Sequence, residues 1–468
     1  MTPLSDDNLD SIKSNAARLI GEALVDRAAW NKLAFMGDSF GHRMNGSRGQ
    51  DLSVEWALAE MRREGLENVR AETARVPNWI RGEESLELLD PYTRPLVMMS
   101  YGNSVGTPPG GIVADALVVG SLDELEARKS EASGKIVVFS PEWTRYPTDE
   151  SWENYLDMRA LRISGHERAA RFGAVAALVR SLYPCHARQA HTGAMKYSDD
   201  CPRIPAAALA PEDALMLHRI AARGGQVRLK LQMSARSAGE VDSANVVGEI
   251  VGREFPEQVI VLACQFDSWD VGIAGLDDAA GAMVVWEPLR LMKSLGIRPR
   301  RTIRTLLCTN EENGASGALA YRDQHREELR NHVAMIESDA GVFPPIGFRV
   351  SGSPETIDIV RAADPLLEML GFLPTRSPVR AGVAEDIHPS VEAGDLPSLT
   401  LQGNNEPYSR YHHANGDTAE AVPPCDLARA VAGMAVMAYR LADLPARLPA
   451  GKGAGTRGVY SDLRPEAR

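Results

Sequence analysis

Apolar and polar residues recur along this chain with two different periods. Ile12, Leu19, Ile20 and Leu24 fall at helical spacing, which predicts helix from about Asp7 to Arg43. "DLSVEWALAEMRREGL" (51–66) carries a second amphipathic pattern stopped by Gly65, and "NVRAETARV" after it reads as a strand. From 108 to 236 the texture changes to the short apolar runs "GGIVADALVVGS", "GKIVVFS", "GAVAALVRS" and "IPAAALA". Gly, Pro and charged turns separate them, with one helix near "ERAARFG", so a compact module inserted into a larger fold is expected. From "NVVGEIVG" onward, strands such as "QVIVLACQ", "RTIRTLLCT", "HVAMIESD" and "LPSLTLQ" alternate with helical stretches such as "AGAMVVWEPLRLMKSLG", "ASGALAYRDQHREEL" and "PCDLARAVAGMAVMAYRL". This alternation predicts an α/β fold with a mainly parallel central sheet. The expected division is 1–107 as the first part of the main domain, 108–236 as the insert, 237–445 as the rest of that domain and 446–468 as a flexible tail.

Composition narrows the class. The chain has 468 residues, 44% hydrophobic and 24% charged, enough to bury a large core in two or three domains. A net charge of -12 with no long basic run argues against nucleic acid or an anionic membrane surface as partner. No stretch approaches the ~20 apolar residues of a membrane span. "MTPLSDDNLDSIKSNAARLIGEAL" has no basic region followed by an apolar one, so no secretory signal is expected. The five cysteines form no CxxC pair; reduced, mostly buried thiols in a cytoplasmic protein are expected. Cys185 and Cys201 would be able to bridge only in an oxidising compartment.

The candidate chemistry is acidic. "VIVLACQFDSWDVGIAGLDDAAGA" runs an apolar strand into Asp267, Asp270, Asp277 and Asp278. Two carboxylates about 4 Å apart repel by about 4 kcal/mol at an effective dielectric near 20. Water, protons or a bound cation relieve that, and a solvated acidic loop is the bland alternative. Two further strands end in acids, at Glu311–Glu312 and at Glu337 and Asp339, and "SRYHHANGDT" adds His412, His413 and Asp417 after a fourth. Ligands bind outside the carboxyl ends of strands in open α/β sheets. Four such ends on one edge point to a metal or former-metal site rather than four solvated termini.

"FDSWDVGIAGLDDAAGAMVVWE", "TNEENGASGA", "IESDAG" and "YHHANGDT" resemble the successive metal motifs of the zinc aminopeptidase and glutamate carboxypeptidase-like metallopeptidase family. "RGEESLELL", "GTPPGGI", "SLDELEARKSEASGKIVV" and "HTGAMKY" extend the likeness over most of the chain. The resemblance implies an aminopeptidase-like α/β sandwich with a β-rich, protease-associated insert, acting as a homodimer on dipeptide-like small substrates. It implies Asp277 as the bridging carboxylate, Glu312 and His413 completing one metal site, and Asp339 belonging to the other. Glu311 would be the general base, and Asp267 would orient the ligand two residues before it. His412 would stand where some relatives carry a substrate-contacting Tyr, a packed or solvent-facing His being the alternative. Arg380 and Asp386 would lie on an active-site loop, with a solvated Arg380 as the alternative.

One position departs from the family. Gln265 stands where its first metal-ligand His belongs, and a neutral amide oxygen suits zinc poorly. The set Asp277, Glu312 and His413 remains, as in glutaminyl cyclases of the same fold that work with one zinc. Three readings are open: a one-zinc hydrolase, a second weak site taking Mn or Mg, or a binding protein that has lost turnover. A cyclase or transferase using a single metal is the further alternative. The expected activity is hydrolysis of an amide C–N bond in a small peptide-like or amino-acid-derived substrate.

Overall fold

Strand Phe255–Gln265 sends Ile260, Leu262 and Cys264 into one apolar core and Val259, Val261 and Ala263 into another. Burial on both faces is why it reads as an unbroken apolar run rather than an alternating one. The computed structural model, which describes residues 6–142, 151–183, 187–273, 275–340, 342–377 and 385–453, sets this strand in the middle of a seven-stranded sheet. Its neighbours Arg301–Cys308 and His332–Glu337 run parallel to it, and Ser398–Gly403 runs parallel beside His332–Glu337. Strands Glu67–Ile80, Arg236–Ile250 and Pro345–Ser351 pair antiparallel at the two sides. The sheet is therefore parallel at its centre and antiparallel at its edges, as mixed α/β sheets commonly are.

Helices cover both faces. Asp6–Val25, Ala28–Phe40, Gly281–Ser294 and Pro424–Ala442 pack over the core that holds Ile260 and Leu262. Ser316–Gln324 and His388–Gly394 contribute Tyr321 and Val391 to the core on the other side. Each fully buried Leu or Ile contributes roughly 1.5–3 kcal/mol. The stretch expected as helix from about Asp7 to Arg43 is two helices, Asp6–Val25 and Ala28–Phe40, and at the turn between them Asp26 Oδ1 accepts the Ala28 amide (2.8 Å). The helix expected at 51–66 runs Arg48–Arg63, begun by Ser47, whose Oγ accepts from Gln50 N (3.2 Å).

The second unit is an eight-stranded sheet. Ile112–Val119, Ile136–Phe139, Ala176–Arg180 and Ala206–Leu209 are mutually parallel, and helices Leu122–Ala127, Ser151–Arg171 and Pro211–Ala222 accompany them. The helix expected near "ERAARFG" is Ser151–Arg171, and with the other two it makes this β-rich unit an α/β layer. It also begins before residue 108: Glu84–Asp90 pairs with Arg228–Met233, and Met98–Ser100 with Ala206–Leu209. The expected tail from 446 is fastened as far as it is described. Leu448 is buried, and Arg447 Nη2 donates to the carbonyls of Arg330 and His332 (2.7 Å each). Residues 454–468 of that tail and Cys185 lie outside the described residues, while Cys201, Cys264 and Cys308 are free and buried and Cys425 is free and exposed. None of the described helices is long and apolar enough to cross a membrane.

The two sheets meet at Trp269. Its buried ring lies edge-on to Trp79 (6.4 Å) and to His413 (5.7 Å). Gly102 lies against the same ring with no room for a Cβ, and its amide donates to Gly193 O (3.0 Å). Gly102→Ala should therefore push Trp269 away from the seam and cost about 1–3 kcal/mol. Calorimetry should read this as a lowered melting temperature; an unchanged one would show that the seam is slack.

Candidate metal centre

The carboxyl ends of the four parallel strands carry the candidate residues. Gln265 ends its strand, and Cys308 ends the next, followed by Glu311 and Glu312. Glu337 ends the third, with Asp339 two residues on, and Ser398–Gly403 leads into Tyr408, His412 and His413. Asn310 (φ 62°) and His413 (φ 62°) sit in the left-handed region, where the chain turns sharply towards the site. Asn tolerates this conformation readily; for His it is an uncommon strain that the surroundings must hold.

The four opening aspartates divide their work. Asp270 pairs with Arg81 (2.6 Å) across the seam. Asp278 accepts from Gly281 N (2.7 Å) and starts helix Gly281–Ser294. Asp267 accepts from Asn45 Nδ2 (3.0 Å) and from Glu311 N (2.9 Å). It thus fastens the Glu311–Glu312 turn; the expected contact with Gln265 is not among its hydrogen bonds. Only Asp277 turns to the histidines. Its Oδ2 lies 3.4 Å from His413 Nε2 and 3.5 Å from His412 Nε2, and Glu312 Oε2 lies 3.1 Å from His413 Nε2. Asp417 holds this turn by accepting from Leu276 N (2.6 Å) and Asp277 N (3.1 Å). Gln265 Nε2 faces Asp277 Oδ1 at 3.3 Å.

Burial sets the electrostatics. Among the described residues, Asp277 Oδ2 and both Glu312 carboxylate oxygens are buried without a hydrogen-bond partner. Burial, then mutual repulsion with Asp339, Asp417 and Asp267, drives the Asp277 carboxyl well above the usual range. Glu312 is driven up by burial, Asp277 and Glu311, and Glu311 by burial, Asp386 and Asp339. Burial and Glu385 raise Asp339 to about 6, although Tyr408 hydrogen-bonds to it. His412 and His413 are held well below their usual value by burial, with Arg162 adding to both. The set is therefore neutral imidazoles beside carboxylates that ionise reluctantly, which a nearby cation would reverse.

Asp386 joins this cluster, buried and hydrogen-bonded to Cys308, while Arg380 lies outside the described residues. Asp277, Glu311, Glu312, Asp339, Gln265, His412 and His413 are all brought to the same strand ends. Other contributors were not foreseen. The second sheet's segment 191–192 grips the histidine loop: Thr192 N donates to His413 O (2.9 Å), and the His191 ring bonds His412 O (2.7 Å). Tyr183 hydrogen-bonds His412 Nδ1. These partners stand over two hundred residues away in sequence, so no local pattern announces them. Tyr408 alone had a signal, an aromatic inside the polar segment "NNEPYSRYHH".

Carboxylates and imidazoles gathered at the carboxyl edge of an α/β sheet define a metallohydrolase centre. The model of peptidase family M28 matches residues 245–438, the stretch that holds every strand end described above. Carboxypeptidase Q from Mus musculus is 38% identical over 438 residues, covering 92% of this chain and 90% of the mouse protein. Carboxypeptidase Q from Homo sapiens is 37% identical over 437 residues, covering 93% and 90%. The crystal structure of a peptidase M28 precursor from Shewanella amazonensis SB2B superimposes with a TM-score of 0.89 at 29% identity, over 94% of this chain and 98% of that one. A zinc aminopeptidase from Bacillus subtilis shares the fold, with a TM-score of 0.64 at 19% identity over 92% and 98%. The chain belongs to peptidase family M28, and with it to the metallopeptidases that hydrolyse peptide bonds.

Raised carboxyls make stability depend on pH. Asp417 is pushed up to about 7, and Asp277, Glu311, Glu312 and Asp386 are pushed well above the carboxylate range. In the unfolded chain all would have lost their protons by about pH 6, since free carboxyls titrate near ~4. Above that pH these carboxyls keep protons in the folded state that the unfolded chain has lost, so their contribution to stability falls as pH rises, and the depressed histidines His412, His413, His166 and His332 oppose this only up to about pH 7. His325, raised overall by Glu328 and Glu72 against the opposing effect of burial, adds in the same direction. In chelator, the melting temperature should drop between about pH 6.5 and 8.5, and a divalent cation added at the high end should restore it. A flat or rising profile would contradict the electrostatic account.

Proposed function

We propose that the chain hydrolyses an amide C–N bond in a small peptide-like or amino-acid-derived substrate, using one tightly held zinc ion. The observation that carries this reading is the convergence of Asp277, Glu312 and His413, where Asp277 Oδ2 and the Glu312 oxygens are buried and accept no hydrogen bond among the described residues. Burying such oxygens without a partner is costly, and two carboxylates plus an imidazole form a three-ligand catalytic zinc set. When bound there, zinc would supply Lewis-acid polarisation of the scissile carbonyl. Glu311 takes the proton from the attacking water and passes it to the leaving nitrogen. Burial and Asp386 make it a stronger base than a solvated glutamate. Asp267 keeps the Glu311 backbone in place through its 2.9 Å hydrogen bond.

The Gln265 side is the weak one. Its amide nitrogen faces Asp277, leaving Asp339 as the other charged group available to a second cation, which suits Mn or Mg better than zinc. In dinuclear relatives the substrate amine sits on this side, so its loss favours substrates other than plain aminopeptidase ones.

Glu311→Gln should remove the base and keep the ligands. Turnover on a panel of dipeptides, acylated amino acids and amides should fall at least ~100-fold, with zinc content unchanged and the melting temperature not lowered, since a neutral amide relieves repulsion there. Turnover near wild type would overturn the assignment.

Calorimetric zinc titration tests the count of sites. Wild type should show one tight site, and Gln265→His should show two, since the new imidazole would stand beside Asp277 and Asp339. Two equally tight sites in the wild type would make Gln265 an ordinary ligand and end this reading.

A further inference from the structure

A second group of buried charges lies away from the metal centre, where helix Ser316–Gln324 ends against Glu67–Ile80, the edge strand of the seven-stranded sheet. His325, the residue after that helix, meets a carboxylate at each ring nitrogen. Its Nε2 lies 3.0 Å from both oxygens of Glu72 on the edge strand, and its Nδ1 is bonded to Glu328. Tyr321 lies against the ring with centroids 4.3 Å apart, and Gln324 Nε2 donates to Thr73 O (2.9 Å) beside it.

A neutral imidazole donates from one nitrogen only, so its other lone pair would point at a carboxylate. Both carboxylates are held ionised by arginines. Arg304 donates to the two oxygens of Glu328 (2.9 and 3.3 Å), and Arg70 Nε donates to Glu72 (2.8 Å). Arg304 also serves Glu249 (2.7 Å) and the Tyr321 hydroxyl (2.8 Å). That hydroxyl meets His332 Nε2 (2.8 Å), whose ring is kept neutral by burial and Arg304, with its pKa down to about 4. Glu72, Glu249 and Glu328 are then balanced by Arg70, Arg304 and a charged His325. Burial opposes that charge on His325, and Glu328 and Glu72 outweigh it. Burial would also raise Glu72 and Glu328, but His325, with Arg70 and Arg304, brings both below their usual range.

We infer that His325 is a doubly protonated clasp tying the edge strand to the end of the helix, and that it opens as rising pH takes one ring proton into solvent. Only the imidazolium has a donor for each carboxylate. The arginine pairs around it keep their charge at every working pH, so the tie through His325 is the conditional one. Because the folded ring holds its proton more tightly than the unfolded one, the clasp is fully closed below about pH 6.5. It is lost as pH rises through the raised value.

Nitrogen-15 spectra of labelled histidines, taken on the whole chain with zinc added, read the protonation directly and need no variant to fold. One ring should keep protons on both nitrogens at about pH 7.5, above the ordinary histidine value. No such ring would overturn the inference. Hydrogen exchange followed by mass spectrometry, corrected for intrinsic rates, reads the opening. Protection of the edge-strand amides at 70–75 should fall by up to ~10-fold per pH unit between about 6.5 and the raised value, while Arg301–Cys308 keeps its protection. His325→Gln should lack both the doubly protonated ring and this step. The same step in that variant would place the sensor elsewhere and end the proposal.

Discussion

Repulsion among buried carboxylates is the constraint on which the rest of this molecule turns. Asp267, Asp277, Glu311, Glu312 and Asp386 gather beyond the carboxyl ends of adjacent parallel strands, each raised above its ordinary pKa first by burial and, for all but Asp267, next by a neighbour's charge. At about 4 kcal/mol for each close pair, no loop would hold them together by itself. The surrounding structure supplies what the site lacks. Arg43, fully buried, donates to Phe266 O (2.9 Å) and lowers Asp417 by its charge, and backbone amides serve Asp417 and Asp267. The remaining deficit falls on Asp277 and Glu312, where hydrogen bonds are missing among the described residues.

The second sheet explains how two histidines survive beside that cluster. His413 occupies a left-handed backbone conformation, costing about 1–3 kcal/mol unless its surroundings impose it. Thr192 N bonds its carbonyl, Trp269 stands edge-on to its ring, and Gly193 leaves room for Arg162 beside it. Burial, aided by the positive guanidinium, keeps both imidazoles neutral, and neutral imidazole is the form that binds a metal. The insert is thus a wall of the site and not an ornament on the catalytic sheet.

Periodicity made the central sheet legible because strands buried on both faces leave continuous apolar runs, as in "VIVLAC" and "HVAMIE". The acids were legible because they follow those runs at once, and charged residues at four apolar ends have few bland explanations. Less was visible where partners are remote. Nothing near Glu84–Asp90 indicates that Arg228–Met233 pairs with it, and nothing near Tyr183 points to His412. The helix break at Asp26 was hidden because no Gly or Pro marks it; the Asp26 side chain accepts from Ala28 N where the first helix ends and the second begins. Asp267 was assigned by motif to Gln265, whereas its hydrogen bonds go to Asn45 and Glu311.

The substitution at Gln265 follows from the same charge balance. An imidazole at that position needs a cation beside it to make use of Asp277 and Asp339. An amide does not, because its N–H faces Asp277 Oδ1 directly. Asp339, raised to about 6 by burial and Glu385, can be relieved by a proton at little cost near neutral pH. Asp277 and Glu312 are driven well above their ordinary range by burial and by their neighbours' charge, so without a cation they too are relieved by protons, with neutral histidines as their close neighbours. On the proposed one-zinc reading, a cation would displace those protons where Glu312 and His413 add their donors to Asp277, while the Gln265 side would keep its proton on Asp339.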